Sequence, residues 1–300
     1  MKAAQPGRRL RLLVVYKKSQ LELYVEHEEM AMDQLRDREP ELYNRFENVH
    51  EQNAAAIEQV RECIQQRGHG SYFVHRAELA LEQHDVDLVI SVGGDGTLLD
   101  VSHSIRDLPL LGVNSSPGVS VGHFCATDAT QLGEVLDAFA QGALVPRPLT
   151  RLQVALNGHV IDTPILNEVL LAHIVPAAVS RYILQCDNAS EEHKSSGVWI
   201  ATAAGSTSAI LSAGGRMLPI DDTRIQFLVR ELYREPERTY SLTDGIVRGP
   251  IEFLSKMRMG AVFLDGHREK IPLVLGDRIR VETHPHPLRL VGYRHDHNPP

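Results

Sequence analysis

Apolar and polar positions alternate along the first half of the chain in a regular way. Asp87-Leu88-Val89-Ile90-Ser91-Val92 is short, apolar and β-branched, which reads as a buried strand. It runs into Gly93-Gly94-Asp95-Gly96, and from Thr97 the apolar residues fall at Leu98, Val101 and Ile105, the spacing of a helix face. Leu10–Tyr16, Ser71–Val74 and Leu108–Asn114 repeat the buried-strand pattern. Residues about 21–67 are rich in Glu, Gln, Arg and Ala and broken at Pro40, which predicts two helices. The second, around Asn48–Gln66, carries Ala56, Ile57, Val60 and Ile64 as its stripe and Gly68 as its stop. Ala77–Glu82 predicts a helical turn or two, and Ala129–Gln141 a helix with Leu132, Val135, Leu136 and Phe139 inward. Strands alternating with helices give a parallel, doubly wound sheet.

From about residue 149 the texture changes. Arg151–Leu156 and His159-Val160-Ile161 flank Asn157-Gly158, a strong hairpin signal. Strand-like runs follow at 165–172, 179–186, 198–202, 226–230, 246–253, 259–264, 273–275 and 278–282, with short connections. This half is expected to be mainly antiparallel β, so an α/β domain over 1–145 meets a β-rich domain that starts at 146.

Three hundred residues allow one large domain or two ordinary ones, and 43% hydrophobic residues allow a sizeable core. A net charge of −8 argues against nonspecific nucleic-acid or anionic-membrane binding. Cys63, Cys125 and Cys186 lie far apart with no CxxC, which fits a reducing compartment. Met1–Leu12 runs straight into a strand, so no secretory signal is read, and no apolar run approaches the roughly 20 residues of a membrane span. A cytoplasmic location is expected. His284, His286, His295 and His297 lie among prolines without acidic or cysteine partners, so a loose tail is favoured over a metal site.

The candidate chemistry centres on Gly93, Gly94, Asp95, Gly96 and Thr97. Glycines let a ligand touch the backbone, and the amides at a helix start suit a phosphate. An aspartate there would repel the anion unless it holds a metal or takes a proton. The plainer alternative is a tight strand-to-helix turn with Asp95 as a cap. There is no G-x-x-x-x-G-K-[ST], and Leu99 stands where the dinucleotide fingerprint wants Gly or Ala.

Three stretches together resemble one family. Gly93-Gly94-Asp95-Gly96-Thr97, Asn167-Glu168, and Thr202-Ala203-Ala204-Gly205-Ser206-Thr207-Ser208-Ala209 running on to Ser212-Ala213-Gly214-Gly215 look like the signatures of the NAD kinases, in order and at similar spacing. Gly112-Val113-Asn114 and Leu264-Asp265-Gly266 look like two further landmarks. The resemblance covers roughly residues 85–270. It implies ATP-dependent phosphorylation of the adenosine-ribose 2′-hydroxyl of NAD or NADH. It also implies an N-terminal α/β domain, a β domain over 146–275 with the site between the two, a segment 276–300 returning to the first domain, Mg2+ or another divalent ion, and a homodimer or homotetramer. No membrane or nucleic-acid partner is expected.

On this reading Asp95 takes or orients the hydroxyl proton, and the glycine amides with Thr97 and Mg2+ hold the ATP phosphates. No protein side chain is assigned to the metal beyond a place near Asp95. Asn114, His123, Asn167, Glu168, Ser206, Thr207, Ser208 and Ser212 are the expected NAD(H) contacts. Asn167 and Glu168 offer an amide and a carboxylate to an adenine edge or ribose. Thr202–Ala213 is built of small residues under which Ser206 and Thr207 are expected to cap a helix. Arg181, Lys194, Arg216, Arg230, Lys256 and Arg258 are possible phosphate neutralisers, each alternatively a solvated surface cation.

The chain departs from the commoner family pattern. Ala203-Ala204 stand for Pro-Thr, Ala209 for Tyr, Ser196 for an Asp before Gly197, and His123 for the aromatic of Gly-Phe/Tyr-Leu. These changes resemble the branch with plant NADH kinase and the animal mitochondrial enzymes. Loss of an anion near the nicotinamide lessens the preference for its oxidised, positive ring, so NADH is expected to be accepted at least as well as NAD. Two rival readings remain: a lipid kinase of the diacylglycerol or sphingosine type, which shares the glycine-Asp motif, and a non-catalytic NAD(H)-binding sensor.

Overall fold

The apolar runs of the first half pair side by side in parallel. In the computed structural model, which describes residues 8–79 and 85–293, the chain divides into one unit of residues 1–147 with 289–300 and a second of 148–288. The first unit contains β1 (Arg11–Tyr16), α1 (Gln20–Arg38), α2 (Pro40–Gln66), β2 (Gly70–His75), β3 (Leu88–Gly93), α3 (Asp95–Ser104), β4 (Pro109–Asn114), β5 (Cys125–Asp128), α4 (Leu132–Ala140) and β6 (Arg147–Leu149). β1 pairs in parallel with β2 and β3, β3 with β4, and β4 with β5. Every residue of β3 and β4 is buried. Leu88, Val89, Ile90 and Val92 are at zero exposure, and burying each such side chain is worth roughly 1.5–3 kcal/mol.

The helices differ from expectation at their starts. α2 begins at Pro40, because proline lacks only an N–H that the first turn leaves unused. It buries Asn53, Ala56, Val60 and Ile64 against the sheet. α3 begins at Asp95 rather than Thr97, since Gly94 takes the capping position and an acidic first-turn residue suits the helix dipole. α4 begins at Leu132, because the Asp128 carboxylate accepts the amides of Thr130 at 2.8 Å and Gln131 at 3.2 Å and holds them as a turn. Of the expected turn at Ala77–Glu82, the part up to Glu78 is a short 3-10 turn and 80–84 lies outside the described residues.

The second unit contains β7 (Leu152–Leu156), β8 (His159–Val160), β9 (Glu168–His173), β10 (Ser180–Cys186), β11 (Ala189–Ser195), β12 (Gly197–Ala201), α5 (Ala209–Ser212), β13 (Ile225–Arg230), β14 (Asp244–Val247), β15 (Ile251–Ser255), β16 (Gly260–Leu264), β17 (Glu269–Leu273) and β18 (Arg278–Thr283). Two antiparallel sheets form, in the orders β11-β10-β15-β18-β7-β8 and β14-β13-β12-β9-β16-β17. Both feed one core, with Val154, Leu184, Phe253 and Val281 from the first sheet and Leu171, Ile200, Phe227 and Val262 from the second. The expected run 246–253 is two strands, split at Arg248-Gly249-Pro250 where proline cannot donate to a ladder. β17 lies earlier than the expected 273–275, and β9 starts at Glu168 rather than 165.

The chain returns to the first sheet at β19 (Leu288–Leu290), which lies parallel to β4. That sheet has the order β2-β1-β3-β4-β19-β6, with β5 also on β4. The return begins near 288, not 276, because β18 is held between β15 and β7 of the second unit. His284 and His286 are part of an ordered turn, where the buried Arg151 guanidinium donates to the His286 carbonyl at 2.8 and 2.6 Å. His295 and His297 lie outside the described residues. Among the described residues no helix is long and apolar enough to cross a membrane.

Candidate active site

In the first unit the glycine turn sits at the carboxyl end of β3, and α3 begins on its aspartate. A Cβ on Gly94 would lie 2.5 Å from Ser120 Oγ in the loop after β4, so a larger residue there displaces the Ser120 hydroxyl. The Thr97 amide donates to the Gly94 carbonyl at 2.9 Å. Its side chain is fully buried, with Oγ1 lacking a partner among the described residues. Thr97 therefore underpins the turn.

Asp95 is half-buried and tied at both oxygens. Oδ2 accepts the His123 amide at 2.9 Å and Oδ1 the Phe124 amide at 2.8 Å. Each carboxylate oxygen keeps a further lone pair. The cap reading is thus partly realised, although Asp95 holds a distant loop rather than its own helix. That loop is braced: the Tyr293 hydroxyl, beyond β19, lies 3.3 Å from His123 Nε2, and the two rings meet edge to face at 5.9 Å. Asn114 is buried and spends its amide internally, donating to the Ser120 carbonyl at 2.9 Å and accepting the Ser116 amide at 3.1 Å. It shapes the loop after β4. The Cys125 thiol is pushed up to about 12, by burial first and then by Asp95, and stays protonated.

In the second unit the other expected residues gather around one buried corner. Asp265, 2% exposed, accepts the amides of Leu166 at 3.0 Å, Asn167 at 2.8 Å and Glu168 at 3.1 Å. Those bonds take Leu166 and Asn167 out of the ladder, while Ile165 bridges instead to Leu152 of β7, which is why β9 starts late. Thr202 Oγ1 donates to the Leu166 carbonyl at 2.5 Å, and a Cβ on Gly205 would come 2.1 Å from the Asn167 carbonyl oxygen. Gly205 is the residue that permits this close approach. Asn167 Oδ1 has no partner among the described residues.

Glu168 is 7% exposed, and burial pushes its carboxyl up to about 7, with Asp265 adding and the Ser208 hydroxyl opposing. Ser208 Oγ bonds the Glu168 carboxylate and lies 2.8 Å from the Gly205 carbonyl. Ser206 is fully buried, donating to the Ala203 carbonyl at 2.7 Å and accepting the Leu218 amide at 2.9 Å. It braces the segment. Neither Ser206 nor Thr207 caps a helix; both lie in a 3-10 turn, and the four-residue α5 starts after Ser208. Thr207 is half-buried and Ser212 exposed.

Four of the six suggested cations are paired within their own unit: Lys194 with Glu235, Arg216 with Asp244, Arg230 with Glu231 and Lys256 with Glu192. The cations beside the glycine turn are Lys17, directly after β1, and Arg45 of α2, which line one cavity with Gly94, Ser115, Ser116 and Ser120. The sequence reading missed both, together with the roles of Asp265 and Tyr293. Lys17 follows a buried strand and Asp265 precedes a turn glycine, and those were the available signals.

A parallel sheet bearing a Gly-Gly-Asp-Gly-Thr turn at the carboxyl ends of its strands, in a chain with a second β-sandwich unit, defines an α/β phosphate-binding protein. The ATP-NAD kinase N-terminal domain matches residues 12–144. The chain is 34% identical over 273 residues to a probable NADH kinase of Oryza sativa subsp. japonica, covering 83% of this chain and 84% of that one. It is 34% identical over 245 residues to the NADH kinase of Arabidopsis thaliana, covering 70% and 74%. The fold matches the crystal structure of an NAD kinase from Archaeoglobus fulgidus in complex with ATP (TM-score 0.68, 18% identity, 96% and 94% covered). It also matches yeast NADH kinase complexed with NADH (TM-score 0.65, 18% identity, 96% and 85% covered). The chain belongs to the NAD kinase family.

Proposed function

We propose that this protein phosphorylates the adenosine-ribose 2′-hydroxyl of NAD or NADH with ATP as the donor. The observation that carries the reading is Asp95, a carboxylate fixed at both oxygens by the 123–124 amides and set in a glycine turn at a helix start. A ribose hydroxyl is a weak nucleophile, and an oriented carboxylate is the group that relieves it of its proton. Phosphoryl transfer otherwise needs positioning and charge neutralisation, which the Gly94–Gly96 amides, Lys17 and Arg45 supply. Asn167 and Glu168 hold the dinucleotide: the unpartnered Asn167 Oδ1 accepts from an adenine amine or a ribose hydroxyl, and Glu168 serves beside it.

Among the described residues no group of three or more His, Cys, Asp and Glu side chains is arranged to hold a metal ion. We infer that a divalent ion arrives on the donor's phosphates, as Mg2+ usually does, and that Asp95 is the carboxylate of the turn beside it. Such an ion supplies charge neutralisation on the triphosphate. The neutral Ser196 favours acceptance of NADH as well as NAD.

Purified protein with ATP and Mg2+, given NAD and NADH in parallel, tests the reading. Formation of NADP or NADPH is expected, with kcat/KM for NADH at least equal to that for NAD. Phosphorylation of a diacylglycerol or sphingosine with NAD(H) inert would replace the reading by a lipid kinase. Tight NAD(H) binding without turnover under several donors and metals would make the protein a sensor. A kcat/KM for NAD far above that for NADH would remove the NADH preference alone.

A further inference from the structure

The C-terminal return of the chain leads back to Asp95. After β19, Val291 is fully buried, and its amide donates to the Leu110 carbonyl of β4 at 2.8 Å. Gly292 then turns in the left-handed region, at a φ of 71°. A Cβ there would lie 2.8 Å from the Ala126 Cβ of β5, so backbone conformation and space both call for glycine. The turn brings Tyr293 to His123, in the loop that enters β5.

Tyr293 is half-buried and held on two sides. Its ring meets the His123 ring edge to face at 5.9 Å, and the Arg147 guanidinium lies 6.0 Å from its centre. Its hydroxyl lies 3.3 Å from His123 Nε2. Burial raises the hydroxyl above its ordinary range, with Arg147 opposing, so it keeps its proton and can donate. An imidazole that accepts at Nε2 carries its own proton at Nδ1, so the contact selects one tautomer and one ring orientation. The same His123 gives its backbone amide to Asp95 Oδ2, and Phe124 gives its amide to Oδ1. Packing ahead of His123 contributes little to holding this loop, because Val121 is 82% exposed.

We propose that Tyr293 is a positioning residue for phosphoryl transfer, acting through His123 on Asp95. Fixing the His123 ring fixes the 123–124 backbone, and that backbone aims the carboxylate at the hydroxyl whose proton it takes. Rate depends steeply on such placement: a shift of about 1 Å can cost on the order of 100-fold. The proposal rests on the reading above, in which Asp95 relieves the ribose hydroxyl of its proton. It goes further by giving the C-terminal return a hold on kcat.

Steady-state kinetics of the intact chain with ATP, Mg2+ and NAD(H), set beside thermal unfolding, test it. Tyr293→Phe keeps the ring and loses the hydroxyl. Its kcat is expected to fall roughly two- to tenfold, the worth of one hydrogen bond, while both KM values and Tm hold. Tyr293→Leu also loses the ring contact and is expected to fall further. His123→Phe removes the acceptor, and in that background Tyr293→Phe is expected to change kcat by less than about twofold, because the two residues act as one unit. Parental kcat in both Tyr293 variants would overturn the proposal. So would an undiminished effect of Tyr293→Phe in the His123→Phe background, which would show that the effect does not pass through His123. Tyr293→Phe is nearly isosteric, so a folding defect in Tyr293→Leu leaves the test intact. If the parent protein forms no NADP(H), the kinase reading fails and the proposal with it; normal turnover of the parent and of both Tyr293 variants sinks the proposal alone.

Discussion

The two units each present one carboxylate at their candidate site, and the two are prepared in opposite ways. Asp95 is half-buried, with two backbone amides on its oxygens and serines and cations around its turn. Glu168 is buried, with one hydroxyl on its carboxylate and a second carboxylate, Asp265, behind its backbone. A group held by amides keeps its place while a hydroxyl beside it reacts. Burial pushes Glu168 up to about 7, so near neutral pH its carboxyl can donate as well as accept a hydrogen bond. The proposed reading gives the chemistry to Asp95 in the first unit and recognition to Glu168 in the second.

The largest expected effect breaks the first side of that contrast. Asp95→Asn should lower kcat by roughly 10²–10⁴, the usual worth of a positioned proton acceptor, with little change in either KM. Steady-state kinetics read this directly, and near-normal turnover would strip Asp95 of its role. Next comes Gly94→Val, whose Cβ meets Ser120 Oγ at 2.5 Å. Overpacking of this kind costs about 1–3 kcal/mol, so KM for ATP should rise about tenfold or more while KM for NAD(H) holds. An unchanged KM for ATP would move the phosphates away from the turn.

The matching change in the second unit is Gly205→Ala. Its Cβ would lie 2.1 Å from a backbone oxygen of Asn167, which has less freedom to move than a serine hydroxyl. Stability should fall by about 1–3 kcal/mol, lowering Tm by several degrees, and KM for NAD(H) should rise with KM for ATP unchanged. If Gly205→Ala alters the ATP constant instead, the division of labour between the units fails.

What the sequence disclosed follows the same division. The glycine turn was legible because strand, turn and helix lie within 20 residues, and their periodicities switch at the turn itself. Asn167-Glu168 was legible only through its resemblance to a family, because the residue that shapes it, Asp265, comes from 97–99 positions further along. β11, Ala-Ser-Glu-Glu-His-Lys-Ser, was invisible to an apolar pattern: it is an edge strand, held by backbone pairing with β10 and carrying polar side chains. Ser206 and Asn114 were read as ligand contacts from residue type, yet both spend their polar atoms inside the fold. Leu42, Phe46 and Val49 of α2, which line the cavity beside the glycine turn, escaped because Pro40 was taken as a break between helices and not as the first residue of α2.

The smallest effect is the most discriminating for Glu168. Its carboxyl titrates near 7 in the folded protein and near its ordinary value when unfolded, so between the two the folded state holds a proton that the unfolded state lacks. The group therefore favours folding at low pH, and that support is lost as pH rises through about 7. The shift corresponds to about 3 kcal/mol as an upper figure. Glu168→Gln carries no charge at any pH, so its Tm should match that of the parent near pH 5 and exceed it by several degrees at pH 8.5. At pH 8.5 the same variant should bind NAD(H) more weakly, because the ionised acceptor is gone. A Tm difference that stays flat from pH 5 to 8.5 would mean that Glu168 is ordinarily ionised, and the two carboxylates would then differ in partners but not in preparation.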